Sequence, residues 1–133
     1  MELGIDAEKY ALPINQILEI IKMQPVTSIP NSRPHVIGVI NLRGHIVPVV
    51  STRSVFGLVD VVATKTTRIV VVRNGDDMAG IVVDSVDRIV TLSDIQPTPD
   101  ELHAADASLL AGIGHTSDGF LGVLRLEPLV SLS

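Results

Sequence analysis

The sequence predicts a mainly β fold, and its apolar composition is the first reason. Of its 133 residues, 46% are hydrophobic, yet the only aromatic residues are Tyr10, Phe56 and Phe120, so the core must be aliphatic. Val and Ile are abundant, and their β-branched side chains favour pleated strands over helices. The second reason is that turn residues separate about ten short apolar runs, a spacing that fits two small barrels or a sandwich.

Length and charge restrict the class of protein further. At 133 residues the chain fits one domain, which we place at 1–133, and its hydrophobic content argues against disorder. The net charge of −5 leaves little basic surface for phosphates, so we expect no nucleic-acid partner. The sequence contains no Cys, which agrees with a reducing compartment.

The sequence shows no pattern typical of a targeting or membrane-spanning segment. Residues 1–6 lack the basic start and the apolar stretch of a signal peptide. Every apolar run is interrupted by a polar or charged residue well before the ~18 residues of a membrane span. We therefore expect a cytoplasmic protein without direct membrane insertion.

The first 34 residues predict a hairpin, a third strand and a surface connection. Residues 2–5 and 10–12 are interpreted as strands joined by a turn at 6–9, and Pro13 then begins a helical turn. Residues 14–21 fit a helix or a strand, and we favour one helical turn followed by a strand because prolines follow closely. Glu19 then occupies an outward-facing strand position.

Residues 35–50 are the most specific stretch, because two Val- and Ile-rich runs flank Asn41-Leu42-Arg43-Gly44. The pattern predicts strand, tight turn, strand, with Gly44 supplying positive φ and Arg43 presented at the turn. On residue type alone, Arg43 is interpreted as a solvated turn residue rather than a functional one. Pro48 lacks a backbone donor, which places the second strand at an edge or at a bulge.

The remaining chain predicts a capped helical turn and two further hairpins. Residues 51–58 begin with a hydroxyl and end near Gly57, as a short helix does, and a polar link follows at 60–67. Asn74-Gly75 between two apolar runs predicts a hairpin whose strands are covered on both faces. We also expect a strand at 86–92, a loop at 93–108 with a helical turn near 100–104, a hairpin turning at 117–119 and a short helix at 127–130.

Catalytic and metal-binding patterns are absent from the sequence. It has no nucleophile elbow and no phosphate-binding loop, and its four His residues lack ligand spacing. Val83-Asp84-Ser85 is similar to the Asp-Ser/Thr-Gly loop of dimeric aspartic proteases, but Val86 occupies the position that requires Gly. We interpret Asp84 as a structural residue that accepts backbone donors at a strand end. The residues favour a docking module rather than an enzyme, with no cofactor.

Several motifs, taken in order, resemble those of the CheW family, the coupling proteins of bacterial chemotaxis. The resemblance covers nearly the whole chain, and its most specific part is Gly38-Val39-Ile40-Asn41-Leu42-Arg43-Gly44-His45-Ile46-Val47-Pro48-Val49-Val50. The other matching motifs are Tyr10-Ala11-Leu12-Pro13-Ile14, Ile17-Leu18-Glu19-Ile20, Thr67-Arg68-Ile69-Val70-Val71-Val72, Gly80-Ile81-Val82-Val83-Asp84-Ser85-Val86 and Leu110-Ala111-Gly112-Ile113-Gly114.

The resemblance implies a fold and a function. The fold is two five-stranded, SH3-like β-barrel lobes around a shared hydrophobic core, with short helices. The function is that of a non-catalytic adaptor, which couples the cytoplasmic tip of chemoreceptors to the regulatory domain of the histidine kinase CheA at receptor arrays. The alternative is a specialised CheW-like adaptor for another kinase pathway, such as surface or pilus motility.

By similarity, a receptor groove lies between the lobes. Its implied residues are Ile17 and Glu19 on one side, Arg43 at the Asn-Leu-Arg-Gly turn, and Gly80, Val86 and Ile89 on the other side. Aliphatic side chains with one Arg suit the apolar and acidic face of a receptor helical hairpin, because burial supplies affinity and the guanidinium fixes orientation. The resemblance assigns no kinase-binding residues.

Two departures from the family pattern bear on the kinase contacts. The chain has Ser51-Thr52-Arg53 where the family usually has Asp-Leu-Arg, which removes a carboxylate that could support the neighbouring turn. Arg125 occupies a position that is usually apolar or acidic, and it adds charge near a strand that we expect at the lobe surface.

Overall fold

The computed structural model of the protein describes residues 1–97 and 109–130, which form two β-sheets with short helical segments. Its strands are β1 (Glu2–Ile5), β2 (Glu8–Ala11), β3 (Ile17–Lys22), β4 (Val36–Leu42), β5 (His45–Ser51), β6 (Arg68–Asn74), β7 (Asp77–Val83), β8 (Ser85–Arg88), β9 (Ser93–Gln96), β10 (Leu110–Thr116) and β11 (Gly119–Leu124). The helices are a 3-10 turn (Ile14–Gln16), α1 (Thr52–Val55) and α2 (Leu126–Val130). Within these residues, no helix is long and apolar enough to cross a membrane.

The mainly β fold with two sheets and short helices is confirmed. One sheet has five strands in the order β3-β6-β7-β5-β4, and the other has six in the order β8-β1-β2-β11-β10-β9. In the part of the chain that is described, both orders run from one edge strand to another, so the sheets are not closed barrels. The sixth strand is β9, where the sequence predicted a loop because of its prolines and acidic residues. Ile95 is the only apolar residue of β9, and all four of its positions are exposed.

The five-stranded sheet is curled, so that its edges approach each other. Thr27, in the connection after β3, forms an antiparallel bridge with Val39 of β4, with N–O distances of 2.9 and 2.8 Å. The connection therefore reaches the opposite edge of the sheet. Gly38 permits this approach, because a Cβ at that position would lie 2.1 Å from the Thr27 carbonyl oxygen.

A shared aliphatic core joins the two sheets. Its buried members come from both of them: Leu3, Ile5, Leu12, Val50, Val70, Val72, Ala79, Ile81, Val83, Leu109, Leu124, Leu126, Leu129 and Val130. A second cluster lies in the five-stranded sheet and consists of Ile40, Leu42, Val47, Val49, Ile69 and Val71. Alternate residues of β6 therefore enter different clusters, which confirms that this continuous apolar strand is covered on both faces.

The predicted hairpins, the capped turn and the C-terminal helix are confirmed. Ser51 caps α1, since its hydroxyl oxygen accepts from the Ser54 N–H at 3.1 Å. The strand predicted at 86–92 ends earlier, at Arg88. The helical turn predicted near 100–104 lies outside the described residues.

Pro48 does not lie on an edge strand, contrary to one of the two placements expected from the sequence. Its strand, β5, lies between β4 and β7. Pairing with β7 covers only Val49 to Ser51, so the missing N–H of Pro48 removes no bond from that ladder. The irregularity of register lies instead between Val36 and Gly38 on β4.

Candidate functional site

The β4–β5 turn presents Arg43 at its tip. Leu42 pairs with His45, which leaves Arg43 and Gly44 as a two-residue loop with φ of 50° and 86°. Both central residues of such a primed turn take positive φ because that twist matches the flanking strands. The Asn41 side-chain oxygen accepts from the Gly44 N–H at 2.9 Å. The sequence indicated positive φ for Gly44 but not for Arg43, whose side chain is 68% exposed.

Arg43 pairs with Glu19 of β3 through both guanidinium nitrogens. Its Nη1 donates to Glu19 Oε1 at 3.0 Å, and its Nη2 donates to Oε2. β3 and β4 are the two edge strands of the five-stranded sheet, so this pair joins the sheet's opposite edges. The two-bond geometry specifies orientation as well as charge.

The ion pair lowers the pKa of Glu19 but contributes little to the stability of the fold. The hydrogen bonds and charge of Arg43 lower the pKa of Glu19 from its ordinary value of 4.5, so the carboxylate is ionised at neutral pH. Because the Arg43 side chain is largely exposed, water and salt screen the attraction. A partner that offers its own carboxylate can therefore compete with Glu19 for Arg43.

Ile17 and Gly80 are closer to the core than Glu19 and Arg43. Ile17 is half-buried and packs against the shared core. The β3 register shifts between Ile17 and Glu19, which leaves Leu18 between them 42% exposed. Gly80, which the resemblance implied on the side of Val86 and Ile89, is instead buried on β7 of the sheet that carries Glu19. A Cβ there would lie 2.8 Å from Ile69 Cγ2, so Gly80 permits close packing beneath the surface.

Val86 and Ile89 lie on the other sheet. Val86 belongs to the edge strand β8, pairs with Leu3 and packs half-buried against the shared core. Ile89 follows β8 directly, and its side chain is 68% exposed. The structure thus brings Glu19 and Arg43 into direct contact and places Val86 and Ile89 on the neighbouring sheet.

An apolar groove of about 240 Å³ adjoins Ile89 and adds residues that the sequence reasoning missed. Ile14 of the 3-10 turn and Ile95 of β9 line it and are 52% and 58% exposed. Leu92 and Val123 line the same groove. An aliphatic residue in a turn directly after Pro13 was the available signal for Ile14; Ile95 gave none, because β9 was not predicted.

A carboxylate lies next to Ser51, at the first departure from the family pattern. The Ser51 hydroxyl donates to Asp60 Oδ1 at 2.6 Å while it caps α1, so Asp60 brings a carboxylate to the same turn. Arg125, the second departure, is exposed immediately after β11.

Asp84 has the structural surroundings inferred from the sequence. Its Oδ2 accepts from the Asp6 N–H at 2.5 Å and from Arg53 Nη1 at 2.6 Å. Both contacts are to the same oxygen, and they hold the β1–β2 turn and α1 at the end of β7. Across residues 1–97 and 109–130, no group of three or more His, Asp or Glu residues could hold a metal ion.

The fold and this surface define a class of protein: a two-sheet, mainly β domain with an exposed, oriented ion pair and an aliphatic groove on its surface. A CheW-like domain model matches residues 1–133, and the chain belongs to the CheW-like domain family. The chain is 38% identical over 128 residues to the chemotaxis protein CheW of Helicobacter pylori, covering 95% of this chain and 77% of the relative. It is 32% identical over 126 residues to the chemotaxis protein CheW of Klebsiella aerogenes, covering 93% and 76%.

A solved structure shares the fold. The scaffolding protein TtCheW from Thermoanaerobacter tengcongensis superposes with a TM-score of 0.84 at 30% sequence identity, covering 94% of this chain and 82% of that chain. The resemblance to the CheW family inferred from the motifs is therefore confirmed.

Proposed function

We propose that this protein is a non-catalytic adaptor that couples chemoreceptors to the histidine kinase CheA in bacterial chemotaxis. The observation that carries the proposal is family membership over residues 1–133, supported by a likeness to a scaffolding protein that covers 94% of the chain. Coupling by an adaptor requires surfaces that bind two proteins, and it requires no catalytic group. The chain works in this role as one unit, without a cofactor, on the cytoplasmic side of the membrane.

The receptor binds at the two walls formed by the two sheets. Ile17, Glu19 and Arg43 form one wall, Val86 and Ile89 form the other, and Gly80 supports the first from below. The exposed Ile89 and its apolar groove bury aliphatic side chains of a receptor helical hairpin, which supplies affinity. Arg43 bonds an acidic side chain of the receptor and fixes the orientation of the hairpin.

Two surfaces are needed, so the kinase binds elsewhere than at the Arg43 turn. Titration calorimetry with the regulatory domain of CheA from the same organism tests this separation. We expect saturable one-to-one binding that is the same for the wild type and Arg43→Ala. The matched receptor experiment uses the cytoplasmic fragment of a chemoreceptor, and there Arg43→Ala weakens binding. Arg68→Ala is the control, because the Arg68 side chain donates only to the nearby Lys65 and Thr67 carbonyl oxygens in the contacts that the structure describes.

The outcomes separate the proposal from its alternative. Wild-type protein that binds neither the receptor fragment nor the CheA domain at ~100 μM, well above the micromolar range of weak specific contacts, contradicts the proposal. Capture of another CheA-like kinase, from a surface or pilus motility pathway, identifies a specialised adaptor instead.

A further inference from the structure

A polar cluster centred on Arg53 joins the two sheets. Arg53 lies on α1, directly after β5 of the five-stranded sheet, and its side chain is 16% exposed. Its Nη1 donates to Asp84 Oδ2 at 2.6 Å and its Nη2 donates to Asp6 Oδ1 at 3.2 Å. Its Nε donates to the Val59 carbonyl oxygen at 2.8 Å. All three guanidinium nitrogens therefore have acceptors.

The two carboxylate acceptors of Arg53 belong to the other sheet or to the crossing between the sheets. Asp6 lies in the β1–β2 turn of the six-stranded sheet. Asp84 lies between β7 and β8, where the chain passes from one sheet to the other. Asp84 also bonds to β1, since its N–H donates to the Gly4 carbonyl oxygen at 2.9 Å. Arg53 thus holds the crossing point and the neighbouring turn against α1.

The α1 helix is itself attached firmly to the five-stranded sheet. Thr52 is buried, and its Oγ1 donates to the Val82 carbonyl oxygen of β7 at 2.5 Å. Ser51 caps the helix from the end of β5. Arg53 therefore lies on a helix that is fixed to β5 and β7, and its main chain cannot move without those strands.

The directionality of these bonds matters because the buried core shared by the two sheets is aliphatic, with Tyr10 stacked on Phe56 at its margin. Burial of Val, Ile and Leu is favourable but non-directional, so it permits small rotations of one sheet on the other. Charge-assisted hydrogen bonds from a planar guanidinium are directional. The Arg53 cluster therefore fixes an orientation that the shared core alone leaves variable.

We propose that Arg53 is a positioning residue, which fixes the two sheets relative to each other. It thereby sets the separation of the two walls of the receptor site, one on each sheet. Val86 follows Asp84 by two residues, so the held crossing point sets where β8 and Ile89 lie. Glu19 and Arg43 belong to the sheet that carries α1. The consequence for binding rests on the proposed function, whereas the fixing of the sheets does not.

The first test measures the sheets directly and needs no partner. The chain has no Cys, so spin labels can be attached uniquely at Lys22→Cys on β3 and Ser93→Cys on β9, both exposed positions on different sheets. Pulsed electron paramagnetic resonance then gives the distance distribution between the labels. We expect a narrow distribution for the wild type and for Arg68→Ala, and a broadened or shifted one for Arg53→Ala. A distribution that Arg53→Ala leaves unchanged overturns the proposal.

Conservative variants separate positioning from simple loss of stability. Arg53→Lys keeps the charge but can engage fewer acceptors, so its distribution lies between those of the wild type and Arg53→Ala. Asp6→Asn removes one charged acceptor at an exposed turn, and Asn tolerates the positive φ of 56° at that position. If Arg53→Ala does not fold, Asp6→Asn carries the test, and the same broadening or shift, smaller in size, is expected.

The second test measures the consequence for the groove. Affinity for the chemoreceptor fragment falls about fivefold in Arg53→Ala and is partly restored in Arg53→Lys, as expected for a residue that acts without touching the ligand. A changed label distance with unchanged affinity overturns the link to the groove. If the wild type itself does not bind the receptor fragment, the proposed function fails, while the label distances still decide whether Arg53 fixes the sheets.

Discussion

Arg43 and Glu19 join the two edges of the five-stranded sheet. Glu19 lies on β3 and Arg43 follows β4, and these strands stand at opposite ends of the hydrogen-bonded order. The backbone bridge between Thr27, in the connection after β3, and Val39 of β4 links that connection to the opposite edge at another level. The sheet is therefore curled until its edges meet, and the exposed ion pair lies at the seam. The same pair links the two edges and carries the exposed guanidinium that we propose binds the receptor.

Replacing Arg43 is expected to impair receptor binding while leaving the fold intact. Arg43→Ala removes an exposed ion pair that water and salt screen, so the midpoint of a denaturant titration changes little. Affinity for the receptor fragment falls, and Arg43→Lys restores it only in part, because Lys cannot form the two-bond pairing. Arg68→Ala is the control for both measurements. An unfolded Arg43→Ala, or one with full receptor affinity, contradicts the assignment.

The ionisation of Glu19 should report whether the pair forms in solution. Arg43 lowers the pKa of Glu19 from its ordinary value of 4.5. The pair therefore contributes stability above that value, and this contribution is lost as the pH falls through the lowered pKa of the folded protein. Carbon-detected NMR of the Glu19 carboxyl checks this, and Arg43→Ala is expected to raise its pKa towards 4.5. Titration curves that coincide in the two proteins would show that the pair does not form.

Two isoleucines separate binding from stability. Ile81 is fully buried in the shared core, so Ile81→Ala costs about 2–5 kcal/mol of unfolding free energy. Ile89 is 68% exposed beside the apolar groove, so Ile89→Ala leaves stability nearly unchanged and weakens receptor binding. Denaturant titration and calorimetry with the receptor fragment measure the two effects. Loss of stability in Ile89→Ala without loss of affinity would exclude Ile89 from the binding surface.

The approach of Thr27 to Gly38 should make this Gly irreplaceable. A Cβ would lie 2.1 Å from a backbone oxygen, so Gly38→Ala must displace the Thr27–Val39 bridge and costs about 2 kcal/mol or more. Gly57→Ala is the comparison, because its Cβ meets nothing within 4 Å and only the positive φ of 75° is strained. In thermal unfolding, the melting temperature of Gly38→Ala should be lower than that of Gly57→Ala. The reverse order would be inconsistent with the bridge.

The strands that the sequence predicted well are those whose local signals agree with their packing. Asn74-Gly75 marked the β6–β7 hairpin, and the continuous apolar run of β6 indicated burial on both faces. β9 was missed because it is held only by pairing with β10, and its own residues carry no strand pattern. Pairing with a strand that is distant in sequence overrides the local preference of β9 for a loop. Local patterns in a single sequence do not reveal such pairing.

The candidate site was predictable only in part. The turn pattern placed Arg43 at a hairpin tip, and the family resemblance named Glu19, but neither indicated that the two side chains bond across the seam of a curled sheet. The Arg53 cluster was also invisible, because it joins Asp6 and Asp84 from distant parts of the chain. Contacts of this range depend on the relative placement of the sheets, which local periodicity does not encode.

Receptor control of kinase activity tests the central claim most directly. CheA and a membrane-embedded chemoreceptor from the same organism are combined with and without this protein, and the rate of CheA autophosphorylation is measured with and without the receptor's ligand. If the protein is the coupling adaptor, the rate depends on the ligand only when the protein is present, and Arg43→Ala reduces that dependence. A rate that the protein leaves unchanged, although it is folded and the other components are active, would contradict the account.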